Sequence, residues 1–144
     1  MRRTSVPPAG VAALMVLLAG CGGGSPGSGA APTTAAGVGT VTVAPDGAQE
    51  ITLQTQDDYV FVPDHFTVSP GAVRLTVLNT AKETTHNFTF TPDAGPAPID
   101  ASISLLAPGK KMTIDFDVAA PGEYPFECSF HVQLGQVGTM TVQG

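Results

Sequence analysis

The chain has 144 residues, with twelve acidic side chains against six lysines and arginines and a net charge of −6. So acidic a chain argues against nucleic-acid binding, which draws its affinity from lysine and arginine on phosphates. It favours a partner that is neutral or basic where it docks. Two cysteines, Cys21 and Cys128, are too few for a disulfide framework.

In chain order, the first element is a leader. Arg2 and Arg3 are followed by an apolar run from Val11 to Leu18 and then by Ala19-Gly20. A positive start, a short apolar stretch and small residues before a cut site describe a secretory signal peptide. The run is shorter than the roughly 20 apolar residues that span a bilayer. Leu18-Ala19-Gly20-Cys21 resembles the lipobox of bacterial lipoproteins. That resemblance implies cleavage before Cys21, lipid on its sulfur, and anchoring at the extracytoplasmic face of the bacterial cell membrane. Thr4-Ser5-Val6 after the arginines does not support twin-arginine export. Loss of Arg2 and Arg3 with the leader leaves four basic against twelve acidic residues, a net −8.

Residues 21–47 are glycine, serine, alanine, proline and threonine with scarcely a bulky side chain. Such a stretch cannot offset the entropy of ordering and reads as a flexible tether. Val38, Val41 and Val43 hint at a strand starting late within it. Residues 48–144 then form one domain large enough for its own core.

Strand signals run through that domain. Apolar and polar residues alternate in Ile51–Gln56, Val73–Val77, Phe88–Phe90, Met112–Val118 and Thr139–Val142. Period-two alternation marks strands with one buried face. Ser69-Pro70-Gly71, Ala107-Pro108-Gly109 and Ala120-Pro121-Gly122 supply turns between them. No segment holds a helical period over three turns. The pattern predicts an all-β antiparallel β-sandwich or barrel. The proline-rich segment 91–106 is expected to be a long connection between sheets with one short helical turn.

The chemistry lies in two segments, Thr85-His86-Asn87-Phe88 and the run from Cys128 to Gln136. With Cys21 lipid-modified, Cys128 has no disulfide partner, and an unpaired cysteine in an exported protein invites a metal or a reactive thiol. A thiolate and two imidazoles suit a borderline-soft ion. A trigonal His₂Cys set with a weak axial ligand describes a blue copper site. Zinc could be held tetrahedrally by the same groups, although the stability order places copper(II) above it. A cysteine nucleophile served by His86 and His131 is the remaining chemistry such residues allow.

These motifs, with Tyr59-Val60-Phe61-Val62-Pro63, Val68-Ser69-Pro70-Gly71 and Asn79 upstream, resemble the first half of a plastocyanin-type cupredoxin. Pro121-Gly122-Glu123-Tyr124-Pro125-Phe126-Glu127-Cys128-Ser129-Phe130-His131 and Val137–Val142 resemble the second half. The likeness covers residues 48–144. It implies the Greek-key cupredoxin fold, one copper ion cycling between Cu(II) and Cu(I), and His86, Cys128 and His131 as its equatorial ligands. It also implies that Asn87 ties the two ligand loops together through Ser129. Where plastocyanin-like loops carry an axial methionine, five residues after the loop histidine, this chain has Gln136, as stellacyanin-type cupredoxins do. Met140 falls in a strand and reads as core. His65 reads as a surface histidine, the adjacent Asp57 and Asp58 as carboxylates without a function, and Asn87-Phe88-Thr89 as an unused glycosylation pattern.

The function implied is one-electron transfer by a monomer, with an unidentified redox protein as partner. His131 would be the electron's exit, within an apolar docking patch of Val132, Leu134 and Gly135. The alternative is copper sequestration or delivery to a copper-handling protein. An enzyme is not expected, since one domain with one site lacks the further histidines that oxygen or nitrite chemistry would need.

Overall fold

The computed structural model describes residues 34–144. The leader, Cys21 and the first part of the tether lie outside the described residues. Ten strands form two sheets: β1 (Thr42–Val43), β2 (Gln49–Thr55), β3 (Phe61–Val62), β4 (His65–Val68), β5 (Gly71–Asn79), β6 (His86–Phe90), β7 (Ser102–Leu106), β8 (Lys111–Val118), β9 (Gly122–Glu127) and β10 (Val137–Val142). One sheet has the order β1-β2-β5-β8 with β3 on β2, and the other runs β4-β10-β9-β6-β7. Each sheet contains one parallel pair, β2 with β5 and β4 with β10, so the sandwich is mixed where antiparallel pairing alone was expected. The chain crosses from β3 to β4 in the opposite sheet and returns as β5. It thus re-enters the first sheet in the direction of β2, the crossover that parallel neighbours require.

Alternation places the core. In β5, Val73, Leu75 and Val77 are almost fully buried while Arg74 and Thr76 face outward. Arg74 there meets three carboxylates, Asp46, Glu50 and Asp115, at 2.9–3.0 Å. Between the sheets Phe61, Phe66, Phe88 and Phe126 pack with ring centroids 5.1–5.9 Å apart, largely tilted or edge-on as ring quadrupoles favour. Each such ring contributes about 1.5–3 kcal/mol by leaving water. Met140 is fully buried in β10 opposite Tyr124, which makes it the core residue its alternation implied.

Three sequence expectations are corrected. The folded unit reaches back past residue 48: Ala35 N–H donates to Gln54 Oε1 at 2.8 Å, Gly39 N–H donates to Thr52 O at 2.9 Å, and β1 pairs with β2. The strand that the tether's late valines hinted at is β1 (Thr42–Val43); backbone bonds to a sheet need no bulky side chains, so composition concealed the ordering before it. The segment 91–106 contains no helical turn, and its last five residues are β7, an edge strand joined to β6 through a bulge. Prolines 92, 96 and 98 all precede it, which leaves Ser102–Leu106 free to pair. The only helical turn among the described residues is a 3₁₀ turn at Val132–Leu134, inside the Cys128 loop.

Candidate metal centre

His86 opens β6, and the loop that delivers it is fixed from two sides. Asn79, buried at the end of β5, donates through Nδ2 to the carbonyls of Thr84 and Leu106 at 2.9 Å. Its Oδ1 accepts from Ala81 N–H at 2.9 Å. The Asp57 carboxylate accepts from the backbone N–H groups of Lys82, Glu83 and Thr84 and from the Thr84 hydroxyl. Those donors, the Lys82 amide foremost, hold its carboxyl well below the usual carboxylate range. Asp57 therefore has a structural task that its sequence neighbourhood did not suggest.

Cys128 and His131 sit on the loop that closes β9 onto β10. His131 N–H donates to Cys128 O at 3.0 Å, and Cys128 N–H donates to Gln136 O at 3.0 Å. Gly135, at φ 89°, reverses the chain after the 3₁₀ turn in a left-handed conformation that a side chain would strain. The result returns Gln136 to the same point as Cys128 and His131.

One ligand atom from each of His86, Cys128 and His131 lies within 4.8 Å of the other two. His86 and Cys128 are fully buried, and His131 is partly exposed. His86 Nδ1 is 2.9 Å from Gln136 Oε1, His131 Nδ1 is 3.1 Å from the same oxygen, and Cys128 Sγ is 3.4 Å from His131 Nδ1. His86 Nε2 donates to the Gln56 carbonyl at 2.9 Å, so that nitrogen carries the ring proton. Burial pushes the His86 pKa below its ordinary value despite the hydrogen bonds, which favours the neutral ring. Its Nδ1 is then a bare lone pair. Gln136 Nε2 donates to Thr55 Oγ1 at 2.7 Å, which leaves the amide oxygen facing the histidines. Asn87 N–H donates to the sulfur at 3.4 Å. One candidate ligand atom from each of four side chains thus converges at one place, a donor set that suits a soft or borderline cation.

The sequence-predicted residues come together here. Asn87 Nδ2 donates to Ser129 Oγ, and Ser129 N–H donates to Asn87 Oδ1, both at 2.7 Å. His65 lies apart, exposed and 3.0 Å from Asp64. The sequence reading missed Thr55 and the Gln56 carbonyl, the consecutive β2-end groups that aim Gln136 and His86. A polar residue closing an apolar strand was the one available signal. It also gave no role to Tyr59, whose ring centroid lies 4.8 Å from that of His131 and whose φ is 58°. On the loop that carries His131, the exposed large apolar side chains are Phe130, whose ring centroid lies 6.3 Å from that of His131, and Leu134.

The Cupredoxin-like domain family model matches residues 12–142. A chloroplastic plastocyanin of Oryza sativa subsp. indica is 38% identical over 121 residues, covering 75% of this chain and 76% of that protein. A plastocyanin of Nostoc punctiforme is 39% identical over 92 residues, 58% of this chain, and the match spans just under two thirds (65%) of the Nostoc protein. Among solved structures, the dithionite-reduced auracyanin of Roseiflexus castenholzii superposes with a TM-score of 0.58 at 30% identity, covering 68% of this chain and all (100%) of that one. Auracyanin B shares the fold, with a TM-score of 0.55 at 22% identity, over 66% of this chain and 88% of its own. The cofactor that fits this donor set is one copper ion, with His86, Cys128 and His131 as the candidate type 1 site. The chain belongs to the cupredoxin family, as a plastocyanin-like copper protein.

Proposed function

We propose that this protein is a one-electron carrier, not an enzyme, working as a monomer lipid-anchored through Cys21 at the extracytoplasmic face of the membrane. The observation that carries the reading is a donor set assembled and buried by hydrogen bonds from β2, β6 and the Cys128 loop, open to the surface only beside His131. Bound copper supplies the single-electron couple. The protein's own groups keep the ligands in place through the change of charge: the Gln56 carbonyl holds the His86 ring, Thr55 holds the Gln136 amide, and the Asn87–Ser129 pair holds the two ligand segments together. Gln136 Oε1 would be the fourth group to hold the ion in this reading. The exposed side chains of Phe130 and Leu134, on the same loop as partly exposed His131, form the face on which a redox protein partner docks.

Full burial of His86 and Cys128 weighs against service as a copper donor, because handing the ion on would require opening the core around them. The first experiment is titration of the Cys21-onward protein with Cu(II), followed by voltammetry. A strong thiolate charge-transfer band saturating at one equivalent and absent in Cys128→Ala, with a reversible one-electron wave, is the expected result. A colourless protein would remove the copper-carrier reading, and rapid loss of copper to an apoprotein acceptor without a reversible wave would replace it with delivery. Lipid on Cys21 is read separately, by fatty-acid labelling that Cys21→Ser should abolish.

A further inference from the structure

Thr55 is the last residue of β2 and is fully buried. Its backbone is fixed on both sides, parallel to Asn79 in β5 and opposite Phe61 in β3, and its carbonyl accepts from Thr80 N–H at 2.9 Å. Its β-branched side chain has little freedom at χ1. The hydroxyl oxygen therefore sits at a set point, 2.7 Å from Gln136 Nε2, across 81 residues of sequence.

Gln136 is itself fully buried, and its amide has two unlike ends. The oxygen faces His86 and His131, and the nitrogen faces Thr55. A buried amide nitrogen without a partner costs about 1–3 kcal/mol. Thr55 is the partner that lets the nitrogen turn away from the centre and so lets the oxygen face it. We propose that Thr55 is a positioning residue for the metal centre, holding the Gln136 carboxamide with its oxygen end toward the metal and thereby tuning the reduction potential. This rests on the reading of Gln136 as a ligand. Thr55 touches no ligand atom, and it acts only through the amide.

The test is a cycle of copper-loaded variants: Thr55→Val, which keeps the shape and removes the hydroxyl, Thr55→Ser, Gln136→Ala, and the double Thr55→Val/Gln136→Ala. The reduction potential and the charge-transfer spectrum are read together with far-ultraviolet circular dichroism. Thr55→Val should shift both in the direction of Gln136→Ala, Thr55→Ser should restore them, and the double variant should shift no further than Gln136→Ala alone. If Gln136→Ala changes neither, the ligand reading itself falls. If Gln136→Ala shifts them and Thr55→Val does not, or if the two effects simply add, the positioning role is overturned. Should Thr55→Val not fold, the Cu(I)-loaded native protein decides: a nuclear Overhauser contact between the Gln136 side-chain amide protons and Thr55 is expected, and its absence overturns the proposal.

Discussion

Asn87 and Ser129 hold each other by two opposed hydrogen bonds of equal length, the amide donating to the hydroxyl and the backbone N–H of Ser129 donating back to the amide oxygen, each at 2.7 Å. The pair joins the first residue after His86 to the first after Cys128. The same Asn87 offers its own backbone N–H to the Cys128 sulfur at 3.4 Å. One residue therefore links two segments of the site and also donates to the Cys128 sulfur.

Removing that side chain should cost more than removing its partner's. Asn87→Ala deletes both bonds and leaves the Ser129 N–H without its acceptor, for an expected loss of about 1–3 kcal/mol. Ser129→Ala deletes one bond and leaves the other intact, so its loss should be smaller. Urea unfolding of the metal-free variants gives the order directly. Equal losses would mean that the Ser129 N–H finds another acceptor and that the clasp is less specific than its geometry.

Asp57 makes a pH prediction whose sign is fixed by its depressed pKa. A carboxyl held low in the folded state contributes stability that is complete above its unfolded value, near 3.9, and is lost as pH falls toward the folded value. Metal-free protein should thus be more stable than Asp57→Asn by a margin that is flat above about pH 5 and narrows below about pH 4. Urea midpoints across that range measure it. A margin that grew on acidification would contradict the assignment, and the Asp57 carboxylate would not be what holds residues 82–84 in place.

Much of this arrangement was readable in advance for a physical reason. Strand alternation around β5 and β10, and the spacing Cys128-x-x-His131 with a distant His86, are local patterns that survive in one dimension. Gln136 could be picked out only by resemblance, as the residue at the position where plastocyanin-like loops carry a methionine. Thr55, Gln56 and Asp57 could not, because their work depends on partners distant in sequence, Gln136, His86 and residues 82–84, which leave no local periodicity. The acceptor at Gln56 O is a backbone carbonyl and has no residue identity to read at all. Ser102–Leu106 was hidden by the prolines before it, and the ordering ahead of β1 by its composition.

Gly138 gives a prediction about packing under the site. A Cβ there would run into the Phe126 ring and the Asp64 carbonyl, where β10 passes between β9 and the chain entering β4. The backbone oxygen cannot turn aside, and Phe126 is fully buried among three other phenylalanines. Gly138→Ala should therefore destabilise by roughly 1–3 kcal/mol or more, in keeping with overpacking of a filled core. Thermal unfolding tests it, with Gly47→Ala as a control for added strain, because a Cβ at that left-handed turn meets no neighbour. A Gly138→Ala melt no lower than that of the control would mean that β10 shifts freely beside β9.

Gln136→Met tests the axial assignment and the surroundings of the amide together. An amide oxygen is a harder ligand than a thioether and favours Cu(II), so the methionine variant should have a clearly higher reduction potential. An unchanged potential would remove Gln136 from the coordination sphere. The substitution also takes from Thr55 the donor that now lies 2.7 Å from its hydroxyl. That buried hydroxyl then faces a side chain that cannot donate, a loss of about 1 kcal/mol. Adding Thr55→Val to Gln136→Met should recover that stability while leaving the raised potential in place, since nothing remains for Thr55 to aim. In the native background the same valine should lower stability. An opposite sign of the valine effect in the two backgrounds is what a bond between Thr55 and Gln136 requires, and the same sign in both would mean that Thr55 contributes to packing alone.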